Sequence, residues 1–253
     1  SSATPRRCNG SSTPVCTAAI TWKSSTKSAP GPRCGRGVSA MPEIFHEAVE
    51  AYLARLAVAG PQLPEVFADM HAEASRRNFP IVGPEVGRFF MQLAAIRRPG
   101  RVLELGSGFG YSAICWALGA PGAEVHLTEY KQSNLDLAAE YAERAGVAKQ
   151  LVMNPGDAFR SAAGIEGTFD LIFVDIDKSD YPRAIDLAEE RLPAGGILIF
   201  DNMLWHGAVG RPETEWDRDT EAVVETAQRL WGSDRWLCSL LPIRDGAAMA
   251  LRR

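Results

Sequence analysis

Two oxygen-rich segments in this sequence each lie directly behind a short apolar run. Phe173-Val174 leads into Asp175-Ile176-Asp177-Lys178, and Ile199-Phe200 leads into Asp201-Asn202. Asp175, Asp201 and Asn202 offer three oxygen ligands of the kind a hard cation prefers, Mg2+ first and Mn2+ or Ca2+ as alternatives. No Cys or His shares the cluster, which argues against a softer metal. Lys178 adds an amine beside the carboxylates. Asp and Asn behind strands are also common turn formers, so the cluster needs support from elsewhere in the chain.

That support comes from a glycine-rich turn. Residues 102–112 read V-L-E-L-G-S-G-F-G-Y-S, with Gly106, Gly108 and Gly110 at alternate positions after an apolar run. Such a turn lets backbone approach a ligand closely at the next helix's N-terminus. It is not the G-x-G-x-x-G dinucleotide fingerprint, because Tyr111 stands at the final Gly position. Glu129 follows 23 residues after Gly106, where an acid can accept hydrogen bonds from ribose hydroxyls. Gly156-Asp157-Ala158 closes the third β-like run, where a ligand's base would sit. The four histidines, His46, His71, His126 and His206, are scattered. Of these, His206 lies nearest the acidic cluster in sequence.

Strands and helices must hold these segments together. Strand candidates are Arg101–Leu105, Glu124–Thr128, Leu151–Met153, Asp170–Val174 and Ile197–Phe200, alternating with helical stretches such as Asn134–Ala145 and Pro182–Arg191. This alternation predicts βαβ crossovers and a parallel sheet covered on both faces. Trp236–Ile243 and Ala247–Leu251 flank Asp245-Gly246, a hairpin signal, so the last strand is expected to run antiparallel at or near a sheet edge. Three helices are predicted ahead of Gly100. The first runs from Pro42 to near Gly60, with Ile44, Phe45, Val49, Tyr52, Leu53 and Leu56 at helical spacing. The second covers Pro64–Arg77, and the third covers Pro84–Arg98 with Phe89, Phe90, Leu93 and Ile96 on one face.

Composition narrows the class. The 253 residues carry 27 Lys and Arg against 31 Asp and Glu, but residues 1–40 hold six basic residues and no acid. Residues 41–253 therefore carry 21 basic against 31 acidic residues, a poor partner for an extended nucleic-acid backbone. Rich in Ser, Thr, Pro and Gly, residues 1–40 read as a disordered N-terminal extension rather than a transit peptide, ahead of a folded domain at 41–253. No apolar run is long enough to predict a membrane-spanning helix. The five cysteines form no C-x-x-C pair, so free thiols in the cytoplasm are expected.

With these motifs in hand, the chain resembles the class I S-adenosylmethionine-dependent O-methyltransferases. More narrowly, it is similar to the cation-dependent family of caffeoyl-CoA and catechol O-methyltransferases. The resemblance rests on the glycine turn, F-V-D-I-D-K-S-D-Y (173–181), G-G-I-L-I-F-D-N-M-L-W-H-G (195–207) and L-P-I-R-D-G (241–246). It implies a Rossmann-like, doubly wound α/β fold: a mostly parallel seven-stranded sheet with an antiparallel last strand and N-terminal helices. It implies S-adenosylmethionine contacts at Glu104, Gly106, Ser107, Ser112, Glu129, Ala158 and Asp177. A further contact is implied at Val82, ahead of a P-E-x-G turn at Pro84–Gly87. Asp175, Asp201 and Asn202 match the metal ligands, and Lys178 matches the base. The chain departs from the family at Ile176, where Ala is frequent, and at His206, where a small residue or Asn is frequent.

The implied reaction is metal-dependent methyl transfer to a hydroxyl of a catechol-like small aromatic, by a homodimer. The closest rival is a metal-dependent methyltransferase acting on a hydroxylated base of transfer RNA. A nicotinamide-dependent oxidoreductase is disfavoured by the glycine spacing, and a non-catalytic binding module would leave the Asp, Asp-Asn and Lys set idle.

Overall fold

The computed structural model describes residues 47–59 and 63–253. The expected disorder of residues 1–40, Cys8, Cys16, Cys34, His46 and the apolar pair Ile44 and Phe45 lie outside the described residues.

Helices α1 (Glu47–Val58), α2 (Val66–Arg77) and α3 (Gly83–Arg97) precede the sheet. Then come β1 (Arg101–Leu105), α4 (Tyr111–Gly119), β2 (Glu124–Glu129), α5 (Gln132–Arg144), β3 (Leu151–Pro155), α6 (Ala158–Ala163) and β4 (Leu171–Val174). The chain continues through α7 (Tyr181–Arg191), β5 (Ile197–Phe200), α8 (Arg218–Trp231), β6 (Trp236–Leu241) and β7 (Ala247–Arg252). The strand order is β3-β2-β1-β4-β5-β7-β6. β1 to β5 pair in parallel, and β7 pairs antiparallel with both β5 and β6. β7 is therefore the strand next to the edge, and β6 is the edge itself.

Side chains alternate across the sheet, so each central strand feeds two cores. Val102, Leu171, Phe173 and Ile199 pack towards α3, α4 and α5, where Phe90 stacks on Trp116. Leu103, Leu105, Ile172, Val174 and Phe200 pack beneath α7 and α8. Strands buried on both faces read as nearly continuous apolar runs, as β4 and β5 do.

α2 and α3 lie within two residues of their expected bounds and α1 lies inside its expected range, but the buried faces of α1 and α3 depart from the sequence reading. α3 buries Val86, Gly87, Phe90 and Ala94, while Ile96 is exposed, so the buried stripe is rotated from the expected one. Pro84–Gly87 forms the first turn of α3, as Pro is well suited to an early helical position. Val49, Tyr52, Leu53 and Leu56 of α1 face solvent despite their spacing. No helix among the described residues is long and apolar enough to cross a membrane.

Candidate active site

The strand order reverses between β1 and β4, and open α/β sheets bind ligands at the carboxyl ends of strands at such a point. Here the chain opens a cleft of about 1950 Å3. Its floor is the glycine turn. A Cβ on Gly106 (φ 82°) would lie 2.2 Å from the Asp175 carbonyl oxygen, so the two crossing chains meet closely only because residue 106 is glycine. Thr128 of β2 pins the turn: its Oγ donates to the Glu104 carbonyl at 2.7 Å, and its carbonyl accepts from Ser107 N–H at 2.9 Å.

Glu104 is the unusual member of β1. It is completely buried on the face packed by α4, and neither carboxylate oxygen has a hydrogen-bond partner. Ser107, Ser112 and the Trp116 indole face it without completing a bond. Burial pushes its pKa up to about 8. An acid stranded under a glycine turn is a ready partner for a cationic ligand group.

The other expected cofactor positions ring the same cleft. Val82, Gly106, Ser107, Ser112, Glu129, Ala158 and Asp177 all line it. Glu129 ends β2, with Oε1 accepting from Lys131 N–H at 2.9 Å. Asp157 caps α6 by accepting from Arg160 N–H, which sets Ala158 at the helix start. Glu104 does not line the cleft: it is fully buried beneath the turn.

The acidic cluster forms across β4 and β5. Val174 pairs with Leu105 and with Phe200, so the residues just past these strands fall side by side. Asp175 N–H donates to the Leu105 carbonyl, and Asp201 N–H donates to the Val174 carbonyl. Asn202 follows in a left-handed conformation (φ 53°) that Asn tolerates well. Burial raises the Asp175 pKa. Burial, with Asp175's charge behind it, pushes Asp201 up to about 7. Two crowded carboxylates beside an amide oxygen make an all-oxygen donor set for a hard divalent cation, whose charge would relieve both shifts. Among the described residues no group of three His, Cys, Asp or Glu is gathered for a metal; this set contains only two such residues, with Asn202 as the third.

Lys178 completes the cluster. Its Nζ donates to Tyr181 Oη at 2.7 Å and Asn202 Oδ1 at 2.8 Å, with longer contacts to the Ile176 carbonyl at 3.3 Å and Asp175 Oδ1 at 3.4 Å. It also lies over the Tyr181 and Trp205 rings. A surface lysine would instead have paired with Asp177 or Asp180.

Three partners escaped the sequence reading. Buried Tyr181 donates to the Asp201 carbonyl at 2.9 Å, linking Lys178 to β5. Asp245 accepts from Asn202 Nδ2 at 3.4 Å and from His206 N–H at 2.6 Å, so the hairpin before β7 braces the ligand turn. Trp205 walls the cleft. All three stand inside quoted motifs, but only contacts distant in sequence give them roles. Of the other described histidines, His126 is buried against Glu124 and Arg101, and His71 lines the cleft and bonds Tyr111 Oη at 3.1 Å.

Comparison with known proteins agrees with this architecture. The O-methyltransferase family profile matches residues 61–253. A caffeoyl-CoA O-methyltransferase of Petroselinum crispum is 26% identical over 76% of this chain and 86% of its own length. A flavonoid 3',5'-methyltransferase of Vitis vinifera is 28% identical over 75% and 85%. Among solved structures, the O-methyltransferase TomG of Streptomyces achromogenes, in complex with S-adenosylmethionine, superposes with a TM-score of 0.71 at 25% identity, covering 81% of this chain and 96% of that one. The chain thus belongs to the O-methyltransferase family and is an S-adenosylmethionine-dependent enzyme of class I.

Proposed function

We propose that the protein methylates one hydroxyl of a catechol-type aromatic acceptor, using a divalent cation, Mg2+ first, held by Asp175, Asp201 and Asn202. The observation that carries this reading is the placement of those three oxygen donors and Lys178 at the ends of adjacent strands. They open on the same cleft as the glycine turn. The relatives' names, caffeoyl-CoA and flavonoid methyltransferases, support an acceptor with neighbouring aromatic hydroxyls.

When bound, S-adenosylmethionine supplies the electrophilic methyl group and the cation supplies charge that makes the acceptor hydroxyl more acidic. The chain's own residues do the rest. Glu104 meets positive charge on the cofactor; Gly106, Ser107 and Ser112 offer backbone and hydroxyl groups at the helix start. Glu129 takes the ribose, while Val82, Ala158 and Asp177 wall the remaining surface. Asp175, Asp201 and Asn202 would hold the cation that keeps the acceptor in place, so alignment contributes much of the rate. Lys178 Nζ stands where it can take the hydroxyl proton. Trp205 covers the aromatic ring's side of the cleft and limits water.

The test is methyl transfer from S-adenosylmethionine to a panel of catechols and to bulk transfer RNA, with Mg2+ and with a chelator. Chelator-sensitive methylation of a catechol supports the reading. Activity on transfer RNA alone, or catechol methylation indifferent to the chelator, overturns it.

A further inference from the structure

Arg244 sits in the loop between β6 and β7 with φ 50°, in the left-handed region that a long side chain rarely adopts. Asn78 and Arg98 share that conformation at helix ends, where it is ordinary, and Asn202, Trp205 and His206 share it inside the ligand turn. Arg244 has neither reason. Glycine would take this turn without strain, as Gly246 does two residues later (φ 85°). Strained residues of this kind concentrate where a side chain has work to do.

The side chain is held in a fixed seat. Its Nη1 donates to the Ile81 carbonyl at 2.8 Å. It lies over Gly83, where a Cβ would come within 2.2 Å of Nη1 and 2.9 Å of Cζ. The rest of the fork makes no hydrogen bond with a described residue, and no described carboxylate lies within ion-pairing distance. The charge nevertheless reaches the cleft: it draws down the proton affinities of Asp175, Asp201, Tyr111 and His71. A side cavity of about 350 Å3 opens beside it, walled by Ala54, Val58, Ile81 and Pro84.

Asp175, Asp201, Asp245 and Glu85 line this end of the cleft; of the other cations there, Lys178 is engaged with Tyr181 and Asn202, and Arg88 with the Ala57 and Ala59 carbonyls. An anionic acceptor would be repelled unless a cation met it, and Arg244 lines that space with a planar donor fork of which only Nη1 is engaged. We propose that Arg244 is a specificity-determining residue that receives a carboxylate carried on the acceptor's aromatic side chain. The proposal rests on reading the cleft as a site for catechol-type acceptors. A small carboxylate is favoured over a distant phosphate because Arg244 adjoins Asp245, which touches Asn202 in the ligand turn. A guanidinium binds a carboxylate through two parallel bonds, which a lysine cannot reproduce.

The test compares 3,4-dihydroxycinnamate with its neutral methyl ester, by calorimetric binding and by turnover, in wild type, R244G, R244K and R244Q. Glycine suits the left-handed backbone, so R244G should keep its melting temperature; R244Q removes the charge without changing the turn to glycine. Wild type should bind the acid at least about ten-fold more tightly than the ester. R244G and R244Q should bring that ratio close to one, with R244K between. A ratio that survives in R244G and R244Q overturns the proposal, and so does equal weakening of acid and ester, which would mark Arg244 as a tether for Ile81. Loss confined to a coenzyme A thioester of the same acid also overturns it by placing the anion on the tail. If the binding ratio behaves as expected but neither catechol is methylated, the carboxylate subsite stands and the catechol-methylation reading fails.

Discussion

Lys178 Nζ and Asn202 Oδ1 meet at 2.8 Å, tying the turn after β4 to the turn after β5. The bond joins the one amine of the acidic cluster to the one neutral member of the proposed donor set. Tyr181 closes the loop, accepting from Lys178 and donating to the Asp201 carbonyl. On the proposed mechanism, the groups for proton handling and for metal holding therefore share one network, and a substitution on one side is felt on the other.

Lys178→Met tests the division of labour. Nζ is lost while all three proposed oxygen ligands remain, so kcat should fall by about 10²–10⁴-fold, typical for a lost general base. The deficit should shrink with acceptors acidic enough to ionise without help. Steady-state rates across catechols of graded acidity read this directly. Equal deficits for every acceptor would assign Lys178 to positioning Asn202 rather than to proton transfer.

Gly106→Ala should be far more damaging than Gly122→Ala. Both glycines hold positive φ, 82° and 91°, so each substitution carries backbone strain on the order of 1–3 kcal/mol. Only at Gly106 would the new methyl meet backbone, 2.2 Å from the Asp175 carbonyl oxygen; around Gly122 nothing lies within 4 Å. Gly106→Ala should push β1 and β4 apart where the cleft forms. Melting temperature and S-adenosylmethionine affinity should both fall, whereas Gly122→Ala should lower melting temperature alone. Matching losses in the two variants would show that strain, not close approach, decides.

The fold was largely legible because parallel strands covered on both faces leave continuous apolar runs, and Ile197–Phe200 is read to the residue. Asp175 and Asp201 were legible because they stand at strand ends, a position that chain order alone supplies. The N-terminal helices were less so. Periodicity in α1 and α3 marks an apolar stripe but not what covers it, and Leu53, Leu56 and Ile96 are exposed in the chain taken by itself. Arg244, Asp245 and Tyr181 were invisible as site residues for another reason: their partners Ile81, His206 and Asp201 lie at separations no local pattern encodes.

The exposed stripe on α1 suggests a partner. Val49, Tyr52, Leu53 and Leu56 fall on one side of a short helix and are all exposed, and symmetric pairing is the commonest way to cover such a face. We propose a homodimer. Light scattering at micromolar concentration should give twice the 27.4 kDa chain mass, and Tyr52→Glu should shift it towards the monomer. A monomeric wild type would reject the assignment.

Glu104 links stability to pH and to the cofactor. Burial holds its pKa at about 8 in the folded chain, whereas an unfolded glutamate ionises near 4.3. Below that lower value both states carry the proton and no penalty exists. Between the two values the unfolded state has released its proton and the folded state has not. The folded state then binds more protons, and stability falls as pH rises from about 4.3 to about 8. The accumulated penalty is on the order of a few kcal/mol, and it stays constant at higher pH. Glu104→Gln should therefore melt higher than wild type at pH 8 and nearly alike at pH 4.5. Cofactor binding should invert the comparison. Positive charge brought over the glycine turn favours the ionised acid, so wild type should release a proton on binding S-adenosylmethionine near pH 7, and Glu104→Gln should release none while binding roughly 10- to 100-fold more weakly. Calorimetry in two buffers of different ionisation enthalpy measures that proton. Identical proton counts for both proteins would remove Glu104 from the cofactor site and leave it a structural anomaly of β1.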